Sequence, residues 1–396
     1  MKLSPTQQEF ISAHEHEDVR ELALRFRGED MPFLLAQIAG RQMAKHKIPA
    51  WYRTGEIVYP VHLSLEQASS EMTARYKCSL LPEKRERFAD LTGGMGVDFS
   101  YMAPSFRHAR YLEQDEELCR IAAHNFGLLG LNHATVVRGK SEDDLSRMEK
   151  ADLIYLDPSR RDEGGRKVFR MEDCSPDLTQ LKDLLLVKAG RVMIKYSPML
   201  DISLALKTVG DVSEVHVVSV ENECKELLFI LTKDAGECRY HAVNLHRGGE
   251  MEDFRFTREE EAQEAVLTSQ PGRYLYEPNA SVMKAGAFNA VGNSYQVRKL
   301  HRHSHLYTSD YLVSGFPGRI FTIDEVMIPN RINIRRFVSV TEKVNIAVRN
   351  YPMSVAEIRR KTGLKDGGES YLFATTLANG QKVWIVGKRV KISDKL

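Results

Sequence analysis

Residues 88–103 read FADLTGGMGVDFSYMA. A short apolar run ends on Asp90, three glycines follow at Gly93, Gly94 and Gly96, and a helical pattern begins near Val97. Strand, glycine turn and helix in that order open a βαβ unit. The glycines let the backbone close tightly on a ligand, and Asp90 can anchor the turn or reach a ligand amine. A dinucleotide fingerprint would place another glycine three residues beyond Gly96, but Phe99 stands there, which weakens a dehydrogenase reading.

Apolar runs continue from there at RYLE (110–113), ATVV (134–137), DLIYLD (152–157), RVMIKY (191–196), EVHVVSV (214–220) and ELLFILT (226–232). Amphipathic stretches separate the first six runs. In EELCRIAAHNFGLLG, for example, Leu118, Ala122, Phe126 and Leu129 form one helical stripe. Alternation of this kind predicts a parallel sheet covered on both faces. Only ENECK separates the last two runs, too few residues for a crossover helix, so they are expected to form an antiparallel hairpin. Upstream, residues 18–46 read as two helices broken at Gly28-Glu29-Asp30. A further helix is expected after Ser64, with Leu65, Ala68, Met72, Tyr76 and Leu80 on one face and Pro82 closing it.

Beyond Lys233, GECRYHAVNL reads as one more strand and EMEDFRFTREEEAQEAVL as charged and partly helical. A small α+β unit is expected from Pro271, with a helix over 280–290 and a strand over 318–327. A last unit pairs a strand at 343–349 with a helix begun at Ser354 and stopped by Gly363. A hairpin across Ala378-Asn379-Gly380 then joins YLFATTL to KVWIVGKR. The expected division is a helical region (1–85), a ligand-binding α/β domain (86–240), a linker with a small α+β unit (241–330) and a basic unit (331–396).

The net charge is only +2, yet residues 331–396 carry 14 Lys and Arg against 5 Asp and Glu. A basic unit on an acidic body fits either a polyanionic partner or a solvated surface. No stretch reaches the ~20 unbroken apolar residues that span a bilayer, and the polar start MKLSPTQQEFISAHEHED lacks the marks of a signal or transit peptide. Five scattered cysteines without a CxxC pair fit reduced thiols in the cytoplasm.

The order of Asp90, Thr92, Gly93, Gly94 and Gly96 resembles motif I of class I methyltransferases that bind S-adenosylmethionine (AdoMet). The resemblance implies a Rossmann-like α/β sheet with these residues at the cofactor. Glu113, ending the second run, would take both ribose hydroxyls, because a carboxylate accepts two hydrogen bonds at once. Asp115 is expected to cap the next helix instead. After the third run this family often carries an acidic residue near the adenine; VVRGKSEDDL departs from that, with Lys140 and Ser141 first and Glu142 only afterwards, and Ser141 and Glu142 are the candidate contacts there.

Asp157-Pro158-Ser159-Arg160 occupies the position of the Asp-Pro-Pro-aromatic tetrapeptide of nucleic-acid amino methyltransferases. The catalytic group is therefore expected there, with Asp157 also at the cofactor. Ser159 and Arg160 depart from the motif and put base amino methylation in doubt, although a guanidinium can stack or clamp a phosphate. Arg160, Arg161 and Lys195 are the candidate substrate contacts; for Lys195, a phosphate contact and a solvated rim position both fit, and for Asp157 a plain loop cap remains an alternative. Ser70-Glu71 resembles part of the helix that lies over the cofactor in several RNA methyltransferases.

DLTGGMGVDF, DPSRR, VMIKYSPMLD and the tail ending KVWIVGKR together resemble a bacterial family that joins an AdoMet methyltransferase to a ferredoxin-like unit and a C-terminal THUMP-like domain. Since THUMP domains of related enzymes bind RNA, the resemblance implies an RNA methyltransferase acting on tRNA or rRNA, with no metal required. A methyltransferase of a small molecule or protein, and a noncatalytic AdoMet-fold binder, are the alternatives. Two further patterns carry less weight. His301, His303 and His305 alternate as on one strand face, which suits hydration better than zinc, and Cys174 lacks the companion motifs of a methylation nucleophile.

Overall fold

The computed structural model describes residues 3–61, 65–159, 174–233 and 235–391. Two compact units emerge, one made of Met1–Val220 with Lys225–Cys238 and the other of Glu221–Cys224 with Arg239–Leu396.

In the first unit, seven strands follow the spatial order β3-β2-β1-β4-β5-β7-β6. They are β1 (Arg87–Asp90), β2 (His108–Glu113), β3 (Ala134–Arg138), β4 (Ala151–Leu156), β5 (Ala189–Tyr196), β6 (Val212–Val220) and β7 (Glu223–Leu231). The pairs β1/β2, β1/β4, β2/β3 and β4/β5 are parallel, and β7 pairs with β5 antiparallel. The expected hairpin turns at Glu221 and Asn222, both at positive φ (50° and 64°). β7 inserts between β5 and β6 as a strand reversed against β5.

Ten helices of this unit are described: α1 (Pro5–His14), α2 (Val19–Arg25), α3 (Met31–Lys47), α4 (Pro49–Arg53), α5 (Glu71–Ser79), α6 (Val97–Met102), α7 (Glu116–Leu128), α8 (Ser141–Arg147), α9 (Leu178–Lys188) and α10 (Ile202–Val209). Gly28-Glu29-Asp30 separates α2 from α3, as expected. The helix expected from Leu65 starts later, at Glu71, because the Ser70 hydroxyl accepts the Thr73 amide while Thr73 bonds back, a capping box that fixes the start there. A core of Phe88, Phe99, Phe106, Tyr111 and Phe126 packs the first βαβ unit, and its rings meet edge-on or stacked at 4.8–5.4 Å. Burying such side chains stabilises by roughly 1.5–3 kcal/mol each.

The second unit contains the hairpin β8 (Arg239–Leu245) and β9 (Met251–Phe256), followed by α11 (Arg258–Ala262). The segment read as charged and partly helical is thus strand first and helix second. Its main sheet has the order β11-β12-β10-β13-β16-β15-β14. Those strands are β10 (Tyr274–Pro278), β11 (Arg298–Lys299), β12 (Tyr307–Ser309), β13 (Gly318–Met327), β14 (Asn345–Arg349), β15 (Ser370–Thr376) and β16 (Lys382–Arg389). The helix expected over 280–290 divides into α12 (Ala280–Ala285) and α13 (Ala290–Ser294), since Gly286 at φ +75° ends the first. α14 (Arg331–Val340) and α15 (Val355–Thr362) complete the unit, and α15 has the Ser354 cap and Gly363 stop seen in its sequence.

Candidate active site

Parallel strands carry their ligands beyond their carboxyl ends. At that edge, β1 delivers Asp90, β2 delivers Glu113, β4 leads into Asp157 and β5 carries Lys195. Asp90 is 1% exposed and accepts the Thr92 amide at 2.9 Å. Burial pushes its carboxyl up to about 8 against the opposing pull of that amide, with Asp98, Asp157 and Glu113 adding to the rise. The Thr92 hydroxyl accepts the Asp157 amide at 2.6 Å and so ties the loop after β1 to the loop after β4.

Two glycines shape the turn, each hard against an aromatic ring. A Cβ on Gly93 would lie 2.3 Å from the Tyr111 ring, so no side chain fits there. Gly96 takes φ +77° at the start of α6, where a Cβ would also meet the Phe126 ring at 2.8 Å. Between them Gly94 donates its amide to Glu113 Oε2 at 2.8 Å, while its carbonyl accepts the Tyr111 hydroxyl at 2.5 Å. Glu113 Oε1 takes the amides of Gln114 and Asp115, at 2.8 and 2.9 Å. Three backbone amides thus aim the Glu113 carboxylate across the glycine turn and leave about one of its four lone-pair sites, on Oε2, for a hydroxyl donor. Asp115 caps α7 by accepting the Leu118 amide. A narrow glycine turn beside a fixed carboxylate is a donor and acceptor set that suits the ribose of a nucleoside.

Ser141 is buried at the start of α8 and donates its hydroxyl to the Leu91 carbonyl at 2.7 Å, which braces the turn from behind. Glu142 beside it is exposed. Pro158 is buried and Ser159 exposed, and the Ser159 backbone exchanges two hydrogen bonds with Ser175, at 2.9 and 3.0 Å. Arg160 and Arg161 lie outside the described residues.

Lys195 is not on a solvated rim. Its side chain is 11% exposed, and its ammonium stands 2.5 Å from Asp157 Oδ2 and 3.5 Å from Asp98 Oδ2. Sequence reasoning passed over the groups behind it. Asp98 accepts the hydroxyls of Ser69 and Tyr155, both at 2.7 Å, and pairs with the fully buried Lys77 at 3.0 Å. Lys77 pairs in turn with Glu226 at 2.7 Å. Burial alone would raise the Asp98 carboxyl, but Lys77 and Lys195 hold it well below its usual range. For Glu226 burial dominates and the carboxyl is raised. The signal was present in the sequence: Glu226 heads ELLFILT and Lys195 interrupts VMIKY, and a charge inside an apolar run requires a buried partner.

The histidine pattern does not lie on a strand face. His301 precedes a turn at residues 302–304, and His305, at φ +51°, stacks on Phe288 at 3.7 Å. Cys174 is buried.

A family model described as a ferredoxin-like domain matches residues 274–317, and one described as THUMP domain-like matches 318–389. The crystal structure of a provisionally designated methyltransferase from Porphyromonas gingivalis W83 superposes with a TM-score of 0.88 at 31% identity, over 99% of this chain and 100% of that one. This chain belongs to that protein's family. The family joins a class I methyltransferase fold to ferredoxin-like and THUMP-like domains. Two further structures overlap more loosely. A precorrin-6y C5,15-methyltransferase from Geobacter metallireducens GS-15 has 12% identity and a TM-score of 0.33, covering 42% of this chain and 90% of its own. An rRNA methylase from Streptococcus thermophilus has 14% identity and a TM-score of 0.31, covering 41% and 94%. Neither superposes closely enough to bear on function. No curated protein matches the chain by sequence. Among the described residues, no helix is long and apolar enough to cross a membrane.

Proposed function

We propose that this member of the family is an AdoMet-dependent methyltransferase of RNA, tRNA or rRNA, working in the cytoplasm, and that its THUMP-like domain helps to hold the RNA. The observation that carries the reading is the meeting of the Gly93–Gly96 turn, Glu113 and Asp157 at one edge of the sheet. Asp90, Thr92, the three glycines and Glu113 would hold the cofactor, which supplies a methyl group on a positively charged sulfur. Ser141 would act indirectly, by bracing Leu91, and the exposed Glu142 would meet the adenine side from solvent. Asp157 and Pro158, at the mouth of the same edge, would orient the acceptor, and orientation is the larger part of what the protein must contribute.

RNA is favoured by the THUMP-like match and by the 14 basic residues of 331–396. Exposed Arg331 and Arg335 on α14 and Arg360 and Lys361 on α15 are candidate phosphate contacts. Five scattered cysteines without a CxxC pair agree with a reducing compartment. The test is incubation with radiolabelled AdoMet and RNA from a strain lacking the gene, followed by mapping of the label. Labelled RNA is the expected result; label confined to protein or metabolite fractions would refute the RNA assignment.

A further inference from the structure

Five charged side chains alternate in sign beneath the carboxyl edge, in the order Asp157, Lys195, Asp98, Lys77, Glu226. Four are almost sealed from water, with side-chain exposures of 11% for Lys195, 8% for Asp98, 0% for Lys77 and 6% for Glu226. Asp157, at 39%, is the member of the five that opens outward. An acceptor bound at Asp157 therefore meets a carboxylate with a buried ammonium directly behind it.

We infer that the acceptor reacts as an anion, a hydroxyl oxygen or a ring imide nitrogen rather than a neutral exocyclic amine, with Lys195 stabilising its charge and Asp157 receiving its proton. This rests on the methyl-transfer reading above. While ionised, Asp157 balances the Lys195 ammonium; once it holds the acceptor's proton that balance is gone, and the ammonium opposes the positive charge that a neutral amine gains as it is methylated. The same ammonium favours negative charge on an oxygen or imide nitrogen. Lys195 does not serve as the base. Burial alone would lower its ammonium, but Asp157, Asp98 and Glu226 together carry it upward, so the charge persists. The nearby Ser69 hydroxyl, 3.3 Å away, is neutral, and Lys47, whose ammonium is held by the Leu65 and Glu66 carbonyls, is itself lowered by burial and by Lys195.

The step balances. The acceptor O–H or N–H proton passes to the Asp157 carboxylate and then to solvent. The freed electron pair forms the bond to the methyl carbon as the carbon–sulfur bond breaks, and that bond's pair neutralises the sulfur.

The test uses the full chain. First, calorimetry with the demethylated donor, S-adenosylhomocysteine, establishes whether the donor site binds. Second, the labelled product is hydrolysed, whichever fraction holds it, and the methylated atom assigned by mass spectrometry. A ribose O-methyl group or an N-methylated imide is expected, and the assignment distinguishes the two sources. Methyl on the exocyclic amine of adenine, cytosine or guanine overturns this inference while leaving methyl transfer intact; absence of binding by S-adenosylhomocysteine removes both readings. Third, Lys195→Met is expected to lower kcat about a hundredfold. S-adenosylhomocysteine affinity should stay within about twofold, and the acid limb of the kcat profile should move up by about one pH unit, because the acceptor loses the cation that acidifies it. Lys195→Arg, which keeps the charge, should restore part of the rate and return the limb toward its original pH. A fall in kcat without movement of the limb would make Lys195 a packing residue and overturn the proposal.

Discussion

The two units use charge differently. In the first, Lys77, Asp98 and Glu226 are buried together with Lys195, and each cation lies between carboxylates at 2.5–3.5 Å. In the second, the buried carboxylate Glu277 is met by Arg319 and Arg349, whose side chains reach solvent, and most of the other cations, such as Arg335 and Arg360, are exposed. Buried pairs lose hydration and regain it only through close geometry, so they fix positions at high local field. Exposed cations fix little but act at a distance and respond to salt. The contrast suits chemistry in one unit and capture of a polyanion in the other.

Breaking the interior network is expected to have the largest effect. Lys77→Met leaves Asp98 and Glu226 buried without their shared cation, and should cost about 3–5 kcal/mol in urea unfolding at neutral pH. If Lys77→Met with Glu226→Leu is no more stable than Lys77→Met alone, the network contributes less than its burial implies. Gly93→Ala comes next. Crowding the Tyr111 ring should cost about 1–3 kcal/mol of stability and abolish binding of S-adenosylhomocysteine in calorimetry.

Protonation sharpens the comparison within the first unit itself. Asp90 has its folded value raised to about 8, so the folded state holds a proton that the unfolded chain releases at lower pH. Its contribution to stability is full below the unfolded value and is lost as pH rises through about 8. Asp98 is depressed, so its contribution is lost as pH falls. Urea unfolding of Asp90→Asn between pH 5 and 9 should therefore show a flatter decline than the parent, whereas an identical slope would contradict the burial of a protonated Asp90.

Smallest is the effect expected of a single exposed cation. Arg335→Gln or Arg360→Gln should weaken RNA binding modestly and reduce the slope of log K against log salt by roughly 0.7–0.9 for each phosphate no longer neutralised. Stability should stay within about 0.5 kcal/mol of the parent. Unchanged slopes in both would place the RNA-binding surface elsewhere.

Local periodicity made much of the fold readable. β13 and β16 match the expected spans 318–327 and 382–389, and Asp115 and Ser354 begin their helices and Gly363 stops one as their residue types require. Where two local signals competed, the reading slipped. The apolar stripe from Leu65 gave way to the Ser70 capping box, and the helix expected over 280–290 broke at Gly286. At the edge of the sheet, Asp90, the glycines, Glu113 and Asp157 were legible because each sits at a strand end or in a turn. Lys77, Asp98 and Glu226 were not, since they come from α5, α6 and β7 and meet across as many as 149 residues of chain.

By itself, then, the sequence determined the βαβ order, the glycine turn and the basic character of the last unit, because these depend on spacing and composition over a few residues. Tertiary structure alone decided that Lys195 faces Asp157 rather than water, and that Lys77, Asp98 and Glu226 continue the same line of charge. The reason is physical: a charged side chain in an apolar run reports that a partner exists, but which partner it meets depends on how strands and helices distant in the chain are brought together.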